Sequence, residues 1–200
     1  MKQRGRPRQF DKNHVSQSMM ELFWRQGFAA TSLDQIADVT KVNRPSLYST
    51  FGNKMDMFLM CLGRFSDKMS KLAKATMGEA QTLEYGLHSF FNGLIEIYYD
   101  EDGDDLQLGC FVFSTAIAES PGNVEIKDAV RTALDQVHHE LRNLIATHRP
   151  QLATKEIDVA ADTAVSIFLS IGVRVRAGMN RSDVEKAIEN SVKATLKAVG

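Results

Sequence analysis

The stretch that decides the fold is GFAATSLDQIADVTKVNRPSLYSTFGNKMDMF, residues 27–58. Thr31 or Ser32 caps a helix over 33–40, because hydroxyl side chains accept hydrogen bonds from the N–H groups of a first helical turn. Its apolar positions recur at helical spacing over about two turns. A second capped segment follows at once, so the stretch predicts short helices.

The second short helix carries signals for its own start and end. Asn43 is its N-cap, Pro45 lies in its first turn, where a missing N–H costs nothing, and Gly52 ends it. Asn53 then caps a longer helix, with Asp56 in the position of a capping box. Two short helices joined by a tight turn predict a helix-turn-helix, whose second helix enters the major groove of DNA.

The sequence on both sides is also helical in pattern. Upstream, Asp11 is the N-cap of a helix that Gly27 ends. Downstream, apolar side chains keep helical spacing, and no run is apolar enough to cross a membrane. Further helices are predicted at about 54–76, 83–99, 106–119, 124–148, 158–176 and 181–199. We therefore expect an all-α fold with a flexible basic arm (1–9), a three-helix helix-turn-helix domain (10–54) and a larger helical domain (55–200).

Charge is unevenly distributed although the net charge is only −1. Residues 1–54 hold nine lysines and arginines against four acids, a net +5, so the other 146 residues carry −6. A basic end on an acidic body suggests contact with a polyanion, the alternative being a solubilising tail. The basic N-terminus lacks a secretory pattern, and Cys61 and Cys110 are too few for a disulfide scaffold, so we expect a cytoplasmic protein with reduced thiols.

Residues 10–58, about a quarter of the chain, resemble the TetR/AcrR family of bacterial transcription regulators. The most specific pieces are Gly27-Phe28…Thr31-Ser32, Ile36-Ala37 and Ser46-Leu47-Tyr48…Phe51-Gly52-Asn53-Lys54. The segment Gly5-Arg6-Pro7-Arg8…Phe10-Asp11 is similar to the arm of a subgroup. Beyond residue 60 the likeness is architectural, apart from Gly109-Cys110-Phe111.

The resemblance implies which side chains meet DNA. Tyr48, Thr31 and Lys54 match phosphate contacts, and a helix N-terminus also presents N–H groups to an anion. Positions that reach bases or adjacent phosphates are matched by Arg44, Pro45, Ser46, Ser49 and Thr50. Arg44 has the geometry to bond guanine O6 and N7. The alternatives are that Tyr48 is a core aromatic and Arg44 a solvated charge.

Two features outside that helix bear on DNA binding. Relatives commonly have Ala-Gly where this chain has Thr40-Lys41. If the turn needs a positive φ, Lys41 costs about 1 kcal/mol relative to glycine, although its charge suits a phosphate. Arg4 and Arg6 are expected to enter an A·T-rich minor groove, the alternative being an untethered tail.

The resemblance also implies that the larger domain dimerises. The helices over 158–176 and 181–199 are the expected interface, forming four helices with their symmetry mates. The alternative is that both only close the core of one subunit. A two-fold dimer would read a palindromic operator with half-sites roughly 34–36 Å apart.

Aromatic residues beside small ones in the middle helices predict an apolar effector pocket with a few polar groups. The expected lining is Phe65, Phe91, Tyr98, Cys110, Phe113 and Ser114, and the alternative is ordinary core packing. Cys110 has two interpretations. It is an oxidant or electrophile sensor if the helix N-terminus lowers its pKa, or else a buried structural thiol.

The expected protein is thus a homodimeric transcription repressor that a small, partly apolar effector releases from its operator. No cofactor is expected, and neither is a catalytic or metal site, since phosphate-loop, dinucleotide, zinc-protease and serine-elbow motifs do not occur. His138 and His139, with Asp135 one turn back, are interpreted as a solvated face rather than a metal site. Two rivals remain: a helical enzyme or lipid carrier with the same cavity, and a ligand-blind architectural DNA-binding protein.

Overall fold

The computed structural model describes residues 10–99 and 107–200, and within these ranges the chain is helical, which confirms the expected all-α fold. No helix of the described ranges is long and apolar enough to span a bilayer. The elements are α1 (Lys12–Ala30), α2 (Leu33–Thr40), α3 (Arg44–Phe51), α4 (Lys54–Met77), α5 (Leu83–Tyr98), α6 (Phe111–Ala118), a 3-10 turn (Ser120–Gly122), α7 (Val124–His148), α8 (Thr154–Arg176) and α9 (Arg181–Ala198).

The residues predicted to begin and end α1 and to cap α2 do so in the structure. Asp11 caps α1 through its side chain, and Gly27, at φ 82° and ψ 176°, breaks the helix before one further short turn. Of the two candidate caps for α2, the cap is Ser32. Its hydroxyl accepts from the Gln35 N–H while the Gln35 side chain accepts from the Ser32 N–H, which satisfies two free donors of the first turn.

The start of α4 is also set by hydrogen bonds between residues close in sequence. The Asn53 side chain accepts from the Asp56 N–H at 3.1 Å, and the Asp56 carboxylate accepts from the Asn53 N–H at 2.8 Å. Gly52 ends α3 at φ 78°, and a Cβ there would lie 2.3 Å from the Asp56 carboxylate. Glycine is therefore required both for the backbone conformation and for the close approach of the cap.

The chain divides into two compact units, residues 1–61 and 62–200, and α4 contributes to both. In the first unit, Phe23 and Phe58 meet edge-to-face at 5.1 Å, and both are fully buried, as are Ile36 and Leu47. Each of the helices α1 to α4 contributes one of these four side chains. The domain boundary drawn after residue 54 stays a prediction.

Two helices of the second unit start elsewhere than predicted. The helix predicted from 106 begins only at Phe111, because Gly109 has φ 63° and a Cβ on it would lie 2.3 Å from the Gly172 carbonyl oxygen. The helix predicted from 158 begins at Thr154. There the Glu156 carboxylate accepts from the Ala153 N–H at 2.8 Å, so the start carries no hydroxyl or amide cap to recognise in the sequence.

Candidate nucleic-acid interface

Helix α3 separates its side chains into a buried and an exposed set. Leu47 is fully buried, and the Phe51 ring lies 6.2 Å from that of Phe10. The exposed or half-buried residues of α3 include Arg44, Pro45, Ser46, Tyr48, Ser49 and Thr50. These are the α3 residues that the sequence predicts at DNA, and none of them is buried.

Tyr48 is not a core aromatic, because it is 46% exposed. Its hydroxyl makes no hydrogen bond to any described residue. Ser49 donates to the Ser46 carbonyl at 3.0 Å, which leaves its oxygen able to accept. The surface of α3 therefore offers one aromatic hydroxyl and small polar groups, a set that fits into a groove without steric bulk.

The turn between α2 and α3 does require the left-handed conformation. Lys41 has φ 57° and ψ 25°, and it is the sole non-glycine residue with positive φ among those described. Val42, which follows it, is buried and anchors the turn. The expected cost of about 1 kcal/mol relative to glycine is therefore incurred, in return for an exposed cation beside α3.

Arg44 is not simply a solvated charge. Its Nη2 atom pairs with Oδ1 of Asp34, in the first turn of α2, and the two side chains stay 49% and 68% exposed. Arg44 is also the first residue of α3, at the positive end of the helix dipole, where a cation is disfavoured and a nearby carboxylate offsets the effect. Sequence reasoning missed this pair because ten positions separate its members.

Lys54 and Thr31, both matched to phosphate contacts, are engaged with the backbone. The Lys54 ammonium donates to the carbonyl oxygens of Phe28 and Thr31, each at 2.8 Å, and lies 4.3 Å from the centre of the Phe28 ring. Thr31 is 1% exposed and donates to the Gly27 carbonyl at 2.6 Å. These interactions tie the first residue of α4 to the corner between α1 and α2.

The remaining DNA-contact prediction concerns the arm. Arg4 and Arg6 lie outside the described residues, so their insertion into a minor groove stays a prediction.

The six residues expected to line an effector pocket are buried to different degrees. Phe65, Phe91, Tyr98 and Cys110 are at most 1% exposed, while Phe113 and Ser114 are half-buried. A cavity of about 10 Å³ nearby has none of the six in its lining, which includes Val112 and Phe168. Its volume is that of about one water molecule, so most of this aromatic cluster is packed as core.

Two polar groups in this core stand out. The Tyr98 hydroxyl is buried and makes no well-formed hydrogen bond, although the Cys110 thiol is near enough to affect its pKa. Burial raises the pKa of both groups, because the charged form of each is disfavoured away from water. Cys110 accepts from the Phe113 N–H as the N-cap of α6, which lowers its pKa by less than burial raises it. The net effect is a raised pKa, which disfavours the thiolate form that an oxidant or electrophile sensor uses.

The helices expected to form a dimer interface differ in what they leave exposed. The apolar seam of α9 is used inside the subunit, since Val184, Ile188 and Val192 are at most 1% exposed. Helix α8 keeps two large apolar side chains in solvent, Val159 at 58% and Val173 at 41%. A groove of about 280 Å³ runs beside Val159, between the start of α8 and the end of α9.

The histidine pair of α7 is engaged by neighbours. His138 Nε2 lies 3.3 Å from the Asp162 carboxylate, and His139 exchanges a 2.9 Å hydrogen bond with Asn143. Among the described residues no group of three His, Cys, Asp or Glu side chains is placed to hold a metal ion.

Comparison with known proteins points to one kind of relative. The sequence model described as bacterial regulatory proteins, tetR family, matches residues 19–61. The chain is 30% identical over 132 residues to the HTH-type transcriptional repressor ComR of Escherichia coli, a match covering 66% of this chain and 61% of ComR. It is 22% identical over 161 residues to the HTH-type regulator YezE of Bacillus subtilis, covering 78% of this chain and 80% of YezE.

Solved structures show the same fold. A cysteine mutant of the TetR family transcriptional regulator CifR, complexed with 26-bp double-strand operator DNA, superposes with a TM-score of 0.84 at 20% identity, over 94% of this chain and 99% of that one. The TetR-family regulator SCO4454 of Streptomyces coelicolor superposes with a TM-score of 0.79 at 17% identity, over 94% and 95%.

Proposed function

We propose, since this chain belongs to the TetR family of bacterial regulatory proteins, that it is a DNA-binding transcriptional regulator whose α3 enters the major groove. The observation that carries the proposal is the division of α3, with Leu47 buried while Arg44, Tyr48 and Ser49 are exposed together. The relatives reported above are all named as regulators of transcription, which supports a regulator over an enzyme or a lipid carrier.

Individual contacts follow from side-chain chemistry. Arg44 binds guanine. Tyr48, on α3, and Lys41, in the turn before α3, bind phosphate groups. Pro45, Ser46, Ser49 and Thr50 lie closest to the base edges. Lys54 has one N–H left beyond its two carbonyls, which is enough for one phosphate. Thr31 would have to release the Gly27 carbonyl before its hydroxyl reached DNA.

The protein acts as a homodimer in this proposal. Val159 and Val173 on α8 would be covered by a second copy, together with the groove between α8 and α9. Helix α9 contributes less than its sequence suggests, because its seam already packs inside the subunit. Two copies of α3 would then meet half-sites roughly 34–36 Å apart, on a palindromic operator in the cytoplasm.

An effector is proposed to bind the second unit and release the repressor from DNA. The buried Tyr98 hydroxyl supports this, since a polar group without a partner costs about 1–3 kcal/mol that a ligand acceptor would recover. The surrounding phenylalanines, Phe65 and Phe91 among them, favour a partly apolar molecule. Release requires the effector to bind the DNA-free state more tightly than the DNA-bound state.

Selection of bound sequences from random duplexes with the purified protein tests the DNA-binding proposal. We expect enrichment of an inverted repeat by the wild-type chain, and its loss in Arg44→Ala. Arg131→Ala, an exposed arginine on α7, is the matched control and should enrich the same repeat. No enrichment by the wild-type chain, even at low salt where phosphate contacts are strongest, would reject the proposal.

A further inference from the structure

The ion pair between Asp34 and Arg44 links the two helices of the helix-turn-helix at their N-terminal ends. We propose that Asp34 is a specificity-determining residue that orients the Arg44 guanidinium toward a base and away from phosphate. Asp34 itself is a positioning residue, since it acts through Arg44. This inference rests on the proposed DNA-binding role of α3.

Stability alone does not explain the acid at this position. Both side chains are largely exposed, and exposed ion pairs add little to folding stability because water and salt screen them. A carboxylate beside the proposed DNA surface also repels phosphate, so it lowers affinity for every duplex alike. The Asp34 carboxylate thus lowers the affinity for all duplexes and holds the Arg44 side chain in place. Such an arrangement favours discrimination between DNA sequences.

The geometry leaves Arg44 able to read a base while it is paired. A guanidinium has five N–H donors, and the contact to Asp34 is made through Nη2. Nη2 has a second N–H, which forms a parallel pair with an N–H of Nε or of Nη1, so one such pair remains for guanine O6 and N7. A side chain already held in one orientation loses less conformational freedom on binding than a mobile one.

The local charge supports the same interpretation. Residues 32–52 contain two acids, Asp34 and Asp38, and two cations, Lys41 and Arg44, and are therefore neutral, whereas residues 1–54 carry +5. The net positive charge that attracts DNA of any sequence therefore lies outside residues 32–52. Removing the Asp34 charge would make this pair cationic and would free Arg44 to swing onto phosphate.

Asp38 provides a matched control. It is the other acid of α2, lies one turn further along, is exposed, and forms no ion pair within the described residues. Asp38→Asn and Asp34→Asn change the net charge identically. Only Asp34→Asn removes the partner of Arg44.

The experiment measures two dissociation constants for each full-length variant, one for the duplex selected by the wild-type chain and one for a scrambled duplex of the same composition. The ratio of the dissociation constant for the scrambled duplex to that for the selected duplex measures selectivity. We expect Asp34→Asn to lower this ratio by between about fivefold and 150-fold, the range for losing one bidentate base contact. Re-selection with this variant should relax the same base pair that Arg44→Ala relaxes. Asp38→Asn should lower the dissociation constants for both duplexes by a similar factor and leave their ratio unchanged.

Two further variants keep the test decisive. Asp34→Glu retains the charge and should recover part of the ratio, and Asp34→Asn combined with Arg44→Ala should equal Arg44→Ala alone. A ratio for Asp34→Asn equal to that of the wild-type chain or of Asp38→Asn, with the wild-type chain still selective, overturns the inference and leaves the proposed function standing. A wild-type chain that does not distinguish the duplexes overturns both. Thermal melting of each variant confirms that it is folded.

Discussion

Replacing Lys54 by methionine tests whether the α1–α2 corner depends on the ammonium group. The substitution keeps an unbranched apolar stem and removes the donors to the carbonyl oxygens of Phe28 and Thr31. Hydrogen bonds to a charged group contribute about 1.5–3 kcal/mol each when well shielded, and a cation over an aromatic ring adds about 0.5–1 kcal/mol. Because Lys54 is only half-buried, we expect a loss of about 2–3 kcal/mol for the three contacts together.

Fluorescence of the single tryptophan gives a direct assay of this change. Trp24 is 5% exposed and belongs to the first unit, so its emission in increasing urea reports on the unit that contains Lys54. Lys12→Met is the control, since Lys12 is also the first residue of a helix but is exposed. A free energy of unfolding for Lys54→Met within about 0.5 kcal/mol of that control would show that the Lys54 ammonium does not stabilise the α1–α2 corner.

The same variant separates the structural role of Lys54 from the predicted phosphate contact. If its remaining N–H also binds phosphate, Lys54→Met should lower the slope of log Kd against log salt by about 1 per subunit. If Lys54 acts only on the corner, affinity falls while the slope is kept. Lys12→Met reports how much of any slope change comes from general charge alone.

Four other outcomes are expected. Lys41→Gly should stabilise the first unit by about 1 kcal/mol, because glycine adopts positive φ without steric cost, and urea unfolding followed by Trp24 fluorescence measures it. Tyr98→Phe should stabilise the second unit by about 1 kcal/mol in chemical denaturation by removing an unsatisfied buried hydroxyl, and a loss of that size would mean that the hydroxyl has a partner. Burial raises the pKa of Cys110, so the unfolded chain releases this proton first, and the contribution of Cys110 should make the free energy of unfolding fall as pH rises above about 9; the fall should be less steep in Cys110→Ala, and an equal slope would contradict the raised pKa. Val159→Asp should shift sedimentation toward the monomer and weaken operator binding together, whereas an unchanged dimer would remove α8 from the interface.

Much of the first unit could be predicted because the signals that start and end its helices are local. Ser32, Asn43 and Asn53 each satisfy N–H groups within three residues of themselves, and Gly52 adopts a backbone conformation that other residues resist. Partners that lie within three residues of each other can be recognised together in a short stretch of sequence. The starts of α2, α3 and α4 therefore lie directly after caps that the sequence predicted.

The candidate site was predictable only in part. The alternation of buried Leu47 with exposed neighbours follows from helical periodicity, but the partners of Arg44 and Lys54 lie 10 and up to 26 positions away. Helical spacing relates residues three or four apart, and it carries no information about contacts at those distances.

The sequence by itself determined the helical class, the helix-turn-helix and the basic character of its end, because caps, glycines and apolar spacing act within a few residues. Tertiary structure alone decided that most of the aromatic cluster is buried, that α9 buries its seam inside the subunit, and that burial raises the pKa of the Cys110 thiol. These properties depend on which distant side chains exclude water from one another, and water is excluded only when the helices are packed.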